Sequence, residues 1–234
     1  MKIREHKNDK HDTSYVKIDR NHPIKGNEDT YLDRYNFATI ISGPSNSGKT
    51  SFLLSQLTHK KGLLFRKFHR IYIFSPSLHT ALTDIHLPEE NIHQDLDWAV
   101  VDNILNENKQ RKINGEESQI LLIFDDLISE IAQSKNIDAF SKLILNRAHY
   151  YASVIITTQA YGRIPLYLRK NFSVVCQFKA SNREMDVIRD ELTQFNEKEW
   201  KQIMKYVFDE KYNYLVITNE NKLYKKINLL EIEE

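Results

Sequence analysis

The amino-acid sequence predicts an α/β fold in which a mostly parallel sheet is covered by helices on both faces. Three observations carry this. Five short apolar and β-branched runs, over 37–42, 71–76, 119–124, 154–159 and 174–179, alternate with segments of helical character, as strands buried on both sides do. The first run leads directly into Gly43-Pro44-Ser45-Asn46-Ser47-Gly48-Lys49-Thr50, with a helical stretch behind it. The third run closes on two acids, Asp125 and Asp126.

The bulk properties bound the answer. A chain of 234 residues can bury one substantial core, so a charged N-terminal arm over 1–30 and a single domain over 31–234 are expected. A 41% hydrophobic and 28% charged composition is ordinary for a globular protein, and the net charge of +1 forces no nucleic-acid or membrane partner. Cys176 is the only cysteine, which excludes an intrachain disulfide and fits a reducing compartment; inside an apolar run it reads as a core residue. No apolar run of about 18 residues exists and the N-terminus is charged, so no membrane partner and use on the cytosolic side are expected.

Taken in order, the arm mixes Lys2, Arg4, Lys7, Lys10, Lys17, Arg20 and Lys25 with six acids and few apolar anchors, and reads as a solvated tail or an interaction arm. The spacing G-x-x-x-x-G-K-T then has a physical cause. Gly43 and Gly48 allow backbone conformations closed to other residues, so the N–H groups of Pro44–Ser51, proline apart, can turn inward on phosphate oxygens. The helix over 51–57 adds the positive end of its dipole. Lys49 reaches the β- and γ-phosphates of a nucleotide, and the Thr50 hydroxyl is placed to ligate Mg²⁺. Between His59 and Arg70 five Lys and Arg residues stand with no acid and two phenylalanines, either a solvated face or a track for a phosphate backbone. The second strand ends at Pro76.

Residues 77–118 are acidic, and Trp98, Val101, Ile104 and Leu105 predict a helix over 94–110. The third strand delivers its acids to the carboxyl end of the sheet, where ligands of open α/β sheets bind. Asp125 is assigned to the metal and Asp126 to the attacking water; two acids capping the next helix is the competing reading. A helix over 134–151 follows, then a strand ending in Gln159, a residue able to bond the γ-phosphate or the water. After the fifth strand, 182–206 predicts one or two helices and 212–227 a hairpin.

The combination GPSNSGKT, ILLIFDD and SVIITTQAYGRIPLYLRKNFSVVCQFK resembles the genome-packaging ATPases of large DNA viruses and virophages, a branch of the FtsK/HerA superfamily of P-loop DNA pumps. The likeness covers roughly 35–227, and T-T-Q followed by Y-x-x-I-P and R-x-N is its specific part. The resemblance implies strand order 5-1-4-3-2, an Mg-dependent ATPase, and a pentameric or hexameric homo-oligomeric ring. Such a ring threads double-stranded DNA into a capsid at a portal vertex, in the host cytoplasm or virion. Lys49, Thr50, Asp125, Asp126 and Gln159 match its motifs, and Arg147 occupies the region that gives an arginine to the neighbouring subunit's nucleotide, with Arg163 and Arg169 as rivals. Many members carry Asp-Glu where this chain has Asp125-Asp126, one methylene shorter. Two other classes compete: a GTPase-like switch, which would want an N-K-x-D that is absent, and a nucleotide kinase, whose lid 161–170 could barely supply.

Overall fold

The central strands read as unbroken apolar runs because each is covered on both faces. The computed structural model describes residues 22–77 and 87–231, so the expected arm lies outside the described residues up to position 21. In chain order the strands are β1 (Ala38–Ser42), β2 (Arg70–Phe74), β3 (Ile92–His93), β4 (Ile120–Phe124), β5 (Ala152–Thr158), β6 (Val174–Phe178), β7 (Tyr214–Thr218), β8 (Leu223–Lys225) and β9 (Asn228–Leu230). The helices are α1 (Lys49–Thr58), α2 (Trp98–Ile113), α3 (Ile128–Ile131), α4 (Ser134–Asn146), α5 (Leu166–Arg169), α6 (Asn182–Leu192) and α7 (Glu197–Val207).

All nine strands form one sheet in the order β3-β2-β4-β5-β1-β6-β7-β8-β9. Its five central members, β2-β4-β5-β1-β6, are the five predicted strands, parallel to one another and in the implied 5-1-4-3-2 order read from the other end. The sheet is wider than that. β3 extends one edge in parallel, and β7, β8 and β9 extend the other antiparallel. The predicted hairpin is β7–β8; β9 adds a third strand.

Period-2 alternation sends the strand side chains into two cores. Ile40, Leu122, Phe124, Val154 and Ile156 face α2, α4 and α7, where Phe140 and Trp200 are buried. Ile41, Ile73, Leu121, Ile123, Ile155 and Cys176 face α1 through Leu53 and Leu57. Burial pushes the Cys176 thiol well above its ordinary value, as a core residue requires.

The helices begin and end where their caps dictate. α2 starts at Trp98, later than predicted, because the Asp97 carboxylate accepts from the Ala99 amide. The stretch 182–206 breaks into two helices, the second opened by a capping box between Asn196 and Glu199. The helix predicted to Tyr151 leaves α geometry at Asn146, tightens to a 3₁₀ turn over Arg147–Tyr150, and closes on Tyr151 at φ 53°.

The expected boundary at residue 30 needs correction, because residues 22–35 fold onto the domain. Ile24 is fully buried with Tyr31 and Leu32 beside it, and the Asn27 amide donates to Leu32 O (3.0 Å) and Leu63 O (2.9 Å). The Tyr35 hydroxyl donates to Lys67 O at 2.6 Å. A few well-spaced anchors do what a longer apolar run would do. Asn27→Ala is expected to lower the unfolding free energy by about 1–3 kcal/mol, since it strands two buried carbonyls. Urea denaturation measures this, and a segment behaving as a solvated tail would give no change.

Candidate functional site

The parallel register brings three chain segments to one edge. β5 lies between β1 and β4, with Ser42 paired to Thr158 and Phe124 to Ile156, so the loop after β1, the acids after β4 and Gln159 after β5 all leave at the carboxyl edge. The loop is built around close approach. A Cβ on Gly43 would lie 2.7 Å from Phe178 Cβ and 2.8 Å from Ser47 Oγ, and Gly43 N donates to Thr158 O. Asn46 (φ 61°) and Gly48 (φ 99°) take the left-handed region and turn the chain into α1. Pro44, Ser45, Asn46 and Ser51 are exposed. The amides of Lys49, Thr50 and Ser51 open the helix with no acceptor in the preceding loop, as an anion site requires. Ser47 Oγ is buried and unpartnered there.

Lys49 stands at the centre. Its ammonium donates to Gly43 O (2.7 Å) and Pro44 O (3.0 Å), carbonyls of its own loop. Partial burial lowers its pKa from the ordinary lysine value, opposed by the charges of Asp126 and Asp125 across the cleft. The lysine and the acid pair therefore share one electrostatic environment.

The acids are held by hydroxyls that the sequence reading missed. Ser75 Oγ, just past β2, donates to Asp125 Oδ2 at 2.9 Å, and Thr157 Oγ1 of β5 donates to Asp125 Oδ1 at 2.7 Å. The same Thr157 oxygen accepts from Asp126 N at 2.9 Å, so one hydroxyl fixes both acids. Asp126 takes φ 56°, unusual without glycine, which re-aims its carboxylate. Gln159 Nε2 donates to that carboxylate, 3.2 Å from Oδ2. The available signal was a hydroxyl residue at the end of each strand beside the acids.

Magnesium fits this donor set. Asp125 has both oxygens polarised by hydroxyl donors, which suits an ionised carboxylate binding through water, and Thr50 offers a hard oxygen from the first turn of α1. Among the described residues no cluster of three or more His, Cys, Asp or Glu could hold a metal. Magnesium sites completed by phosphates need only one or two carboxylates.

The arginines sort differently from expectation. Arg147 lies at the amino edge of the sheet, away from the loop, where its guanidinium donates to Asn36 O (2.7 Å), Ile144 O and Ser173 Oγ (3.4 Å). It clamps its own chain, and reaching another subunit's nucleotide would break all three bonds. Arg169 is buried, paired with Glu191 at 2.8 Å and stacked over Tyr161. Arg163 is exposed at the carboxyl edge on a turn fixed by Gly162 N donating to Glu184, and its side chain has no partner among the described residues. The basic run 59–70 follows α1 at the opposite edge. Phe68 there packs on Tyr35 and Phe37, so it is a core side chain.

Comparison with known proteins follows the same line. The DNA packaging protein OPG160 of Variola virus is 26% identical over 152 residues, which is 62% of this chain and 54% of that protein. The namesake from Monkeypox virus is 26% identical over 62% of this chain and 48% of its own. The chain thus spans about half the length of the curated relatives it matches. Among solved structures, the genome packaging NTPase B204 from Sulfolobus turreted icosahedral virus 2, in complex with sulfate, matches with a TM-score of 0.61 at 14% identity, over 85% of this chain and 100% of that one. The same protein in complex with ATP-gammaS matches with a TM-score of 0.59 at 15% identity, over 83% and 98%. At these identities the likeness is one of fold. Residues 27–228 match the family described as Poxvirus A32 protein, and with the match running through most of its length the chain belongs to that family.

Proposed function

We propose that the chain is an Mg-dependent ATPase that drives double-stranded DNA into a viral capsid. The carrying observation is that the parallel register delivers the Lys49 loop and the Asp125–Asp126 pair to the same carboxyl edge of the sheet. Support comes from relatives named DNA packaging proteins and from a fold neighbour solved with ATP-gammaS.

In this reading the free amides of Lys49, Thr50 and Ser51 hold the phosphates of ATP, and Lys49 exchanges its loop carbonyls for β- and γ-oxygens. Thr50 and Asp125 would hold Mg²⁺, which neutralises charge on the β- and γ-oxygens when bound. Asp126, aimed by its left-handed backbone and by Gln159, orients a water in line with the γ-phosphorus and takes its proton as the bond to the β-phosphate oxygen breaks. The products are ADP and inorganic phosphate. Gln159 touches the acid that handles the water, which suits it to report the state of the nucleotide to the turn carrying Arg163.

The chain would work as a pentameric or hexameric ring docked at a capsid portal, in the host cytoplasm or virion. Arg163 supplies the arginine donated to the neighbour, worth about 10³–10⁵ in rate. Exposed Lys60, Lys61, Arg66 and Lys170 are the basic residues left for DNA. No helix among the described residues is long and apolar enough to cross a membrane.

Lys49→Ala is expected to abolish ATP turnover, and Asp126→Asn to keep nucleotide binding while stopping hydrolysis. Duplex DNA should raise the hydrolysis rate of the assembled ring; an unchanged rate with DNA counts against the motor and leaves the switch or kinase classes. Thr157→Val should raise the magnesium concentration for half-maximal hydrolysis, with Thr157→Ser close to wild type, read from a magnesium titration. Arg163→Ala should lose turnover only in the ring and regain part of it when mixed with wild-type subunits. Arg147→Ala should instead lower the unfolding midpoint.

A further inference from the structure

The cleft has a second end that the acids do not occupy. In the triphosphate reading, Asp126 and Gln159 would meet the terminal phosphate on the β4–β5 side of the loop, which leaves the β6–β7 side for the rest of the nucleotide. There, just before β7, Tyr212 stands against the loop. A Cβ on Gly48 would lie 3.1 Å from Tyr212 Cδ1 and 3.8 Å from its Cε1, so the ring abuts the residue that opens α1. The ring is 54% exposed.

Among the described residues Tyr212 belongs to neither core cluster. Phe52, Phe178 and Tyr214 form the aromatic cluster beneath the loop, with Phe52 and Tyr214 4.5 Å apart, and Tyr212 is in none of its ring pairs. The Lys211 ammonium lies over the ring, 4.7 Å from the centroid. Its backbone is strained as well, with φ 68°, a region bulky side chains rarely enter.

The surrounding turn enforces the conformation. Asn213 is buried and donates to Asp209 Oδ1 at 2.7 Å, while Lys225 Nζ donates to Asp209 Oδ2 at 2.6 Å and to Tyr206 O at 3.0 Å. Strain that neighbours over-determine, spent on holding an exposed ring, marks a ligand clamp.

We infer that Tyr212 is the platform on which the base of the bound nucleotide stacks, a base subsite completing the phosphate loop. The inference rests on the triphosphate reading of that loop. A ring that offers only its face gains most from the large planar area of a purine and is tolerant of which purine it meets.

Isothermal titration calorimetry on the full chain with ATP and with inorganic tripolyphosphate, which has no base, tests this. Tyr212→Ala should weaken ATP binding about tenfold and leave tripolyphosphate binding unchanged, and Tyr212→Phe should match wild type for both. Unchanged ATP binding by Tyr212→Ala would overturn the subsite and leave the triphosphate site standing. Equal loss for both ligands would also overturn it, making the ring a prop for the loop. Wild-type protein that binds neither ligand would sink the triphosphate reading and the subsite together.

Discussion

The pairing of β5 with β1 on one side and β4 on the other is the constraint from which the site follows. Parallel strands in register end at one edge, so a loop, an acid pair and a glutamine separated by over a hundred residues of sequence emerge as neighbours. The acids stand one strand away from the loop, not beside it. That gap places Thr157, on the intervening strand, where its hydroxyl reaches Asp125 and the Asp126 amide together. A fully buried threonine is thus the joint between the sheet and the chemistry.

The fold was legible because the energetics of a doubly covered sheet write themselves into sequence as uninterrupted apolar runs, and the five central strands stand where those runs are. The loop was legible because its two glycines are backbone requirements: one blocked by Phe178, the other at φ 99°. What stayed hidden depends on tertiary placement. Ser75 and Thr157 are ordinary strand-end residues until the ladder sets them beside an acid. Tyr212 reads as the start of a strand, and only its backbone angle and its contact with Gly48 set it apart. The bonds of Arg147 were hidden for the same reason, since sequence gives its position before β5 but not the direction of its guanidinium. Ile24, Tyr31 and Leu32 are too sparse to announce a packed segment among charges, yet burial of each removes a large apolar surface from water.

The site edge also concentrates cost. Ser42 Oγ and Ser47 Oγ are buried without hydrogen-bond partners, and Asp126 and Tyr212 both hold left-handed backbones without glycine. Each is unfavourable by itself, with strained backbone costing on the order of 1–3 kcal/mol per residue. The two cores on either face of the sheet supply the stability that lets such groups persist in one arrangement.

The Arg147 clamp has a mechanical meaning. Its guanidinium ties the end of α4 to Asn36 at the foot of β1 and Ser173 at the foot of β6, three points distant in sequence, using carbonyls and a hydroxyl with no acid to compensate. Burial disfavours that charge and lowers its pKa, yet an arginine stays protonated at neutral pH, so the tie is not a proton-controlled one. One half-buried side chain thus fastens the end of α4 to the amino edge of the sheet at two strands.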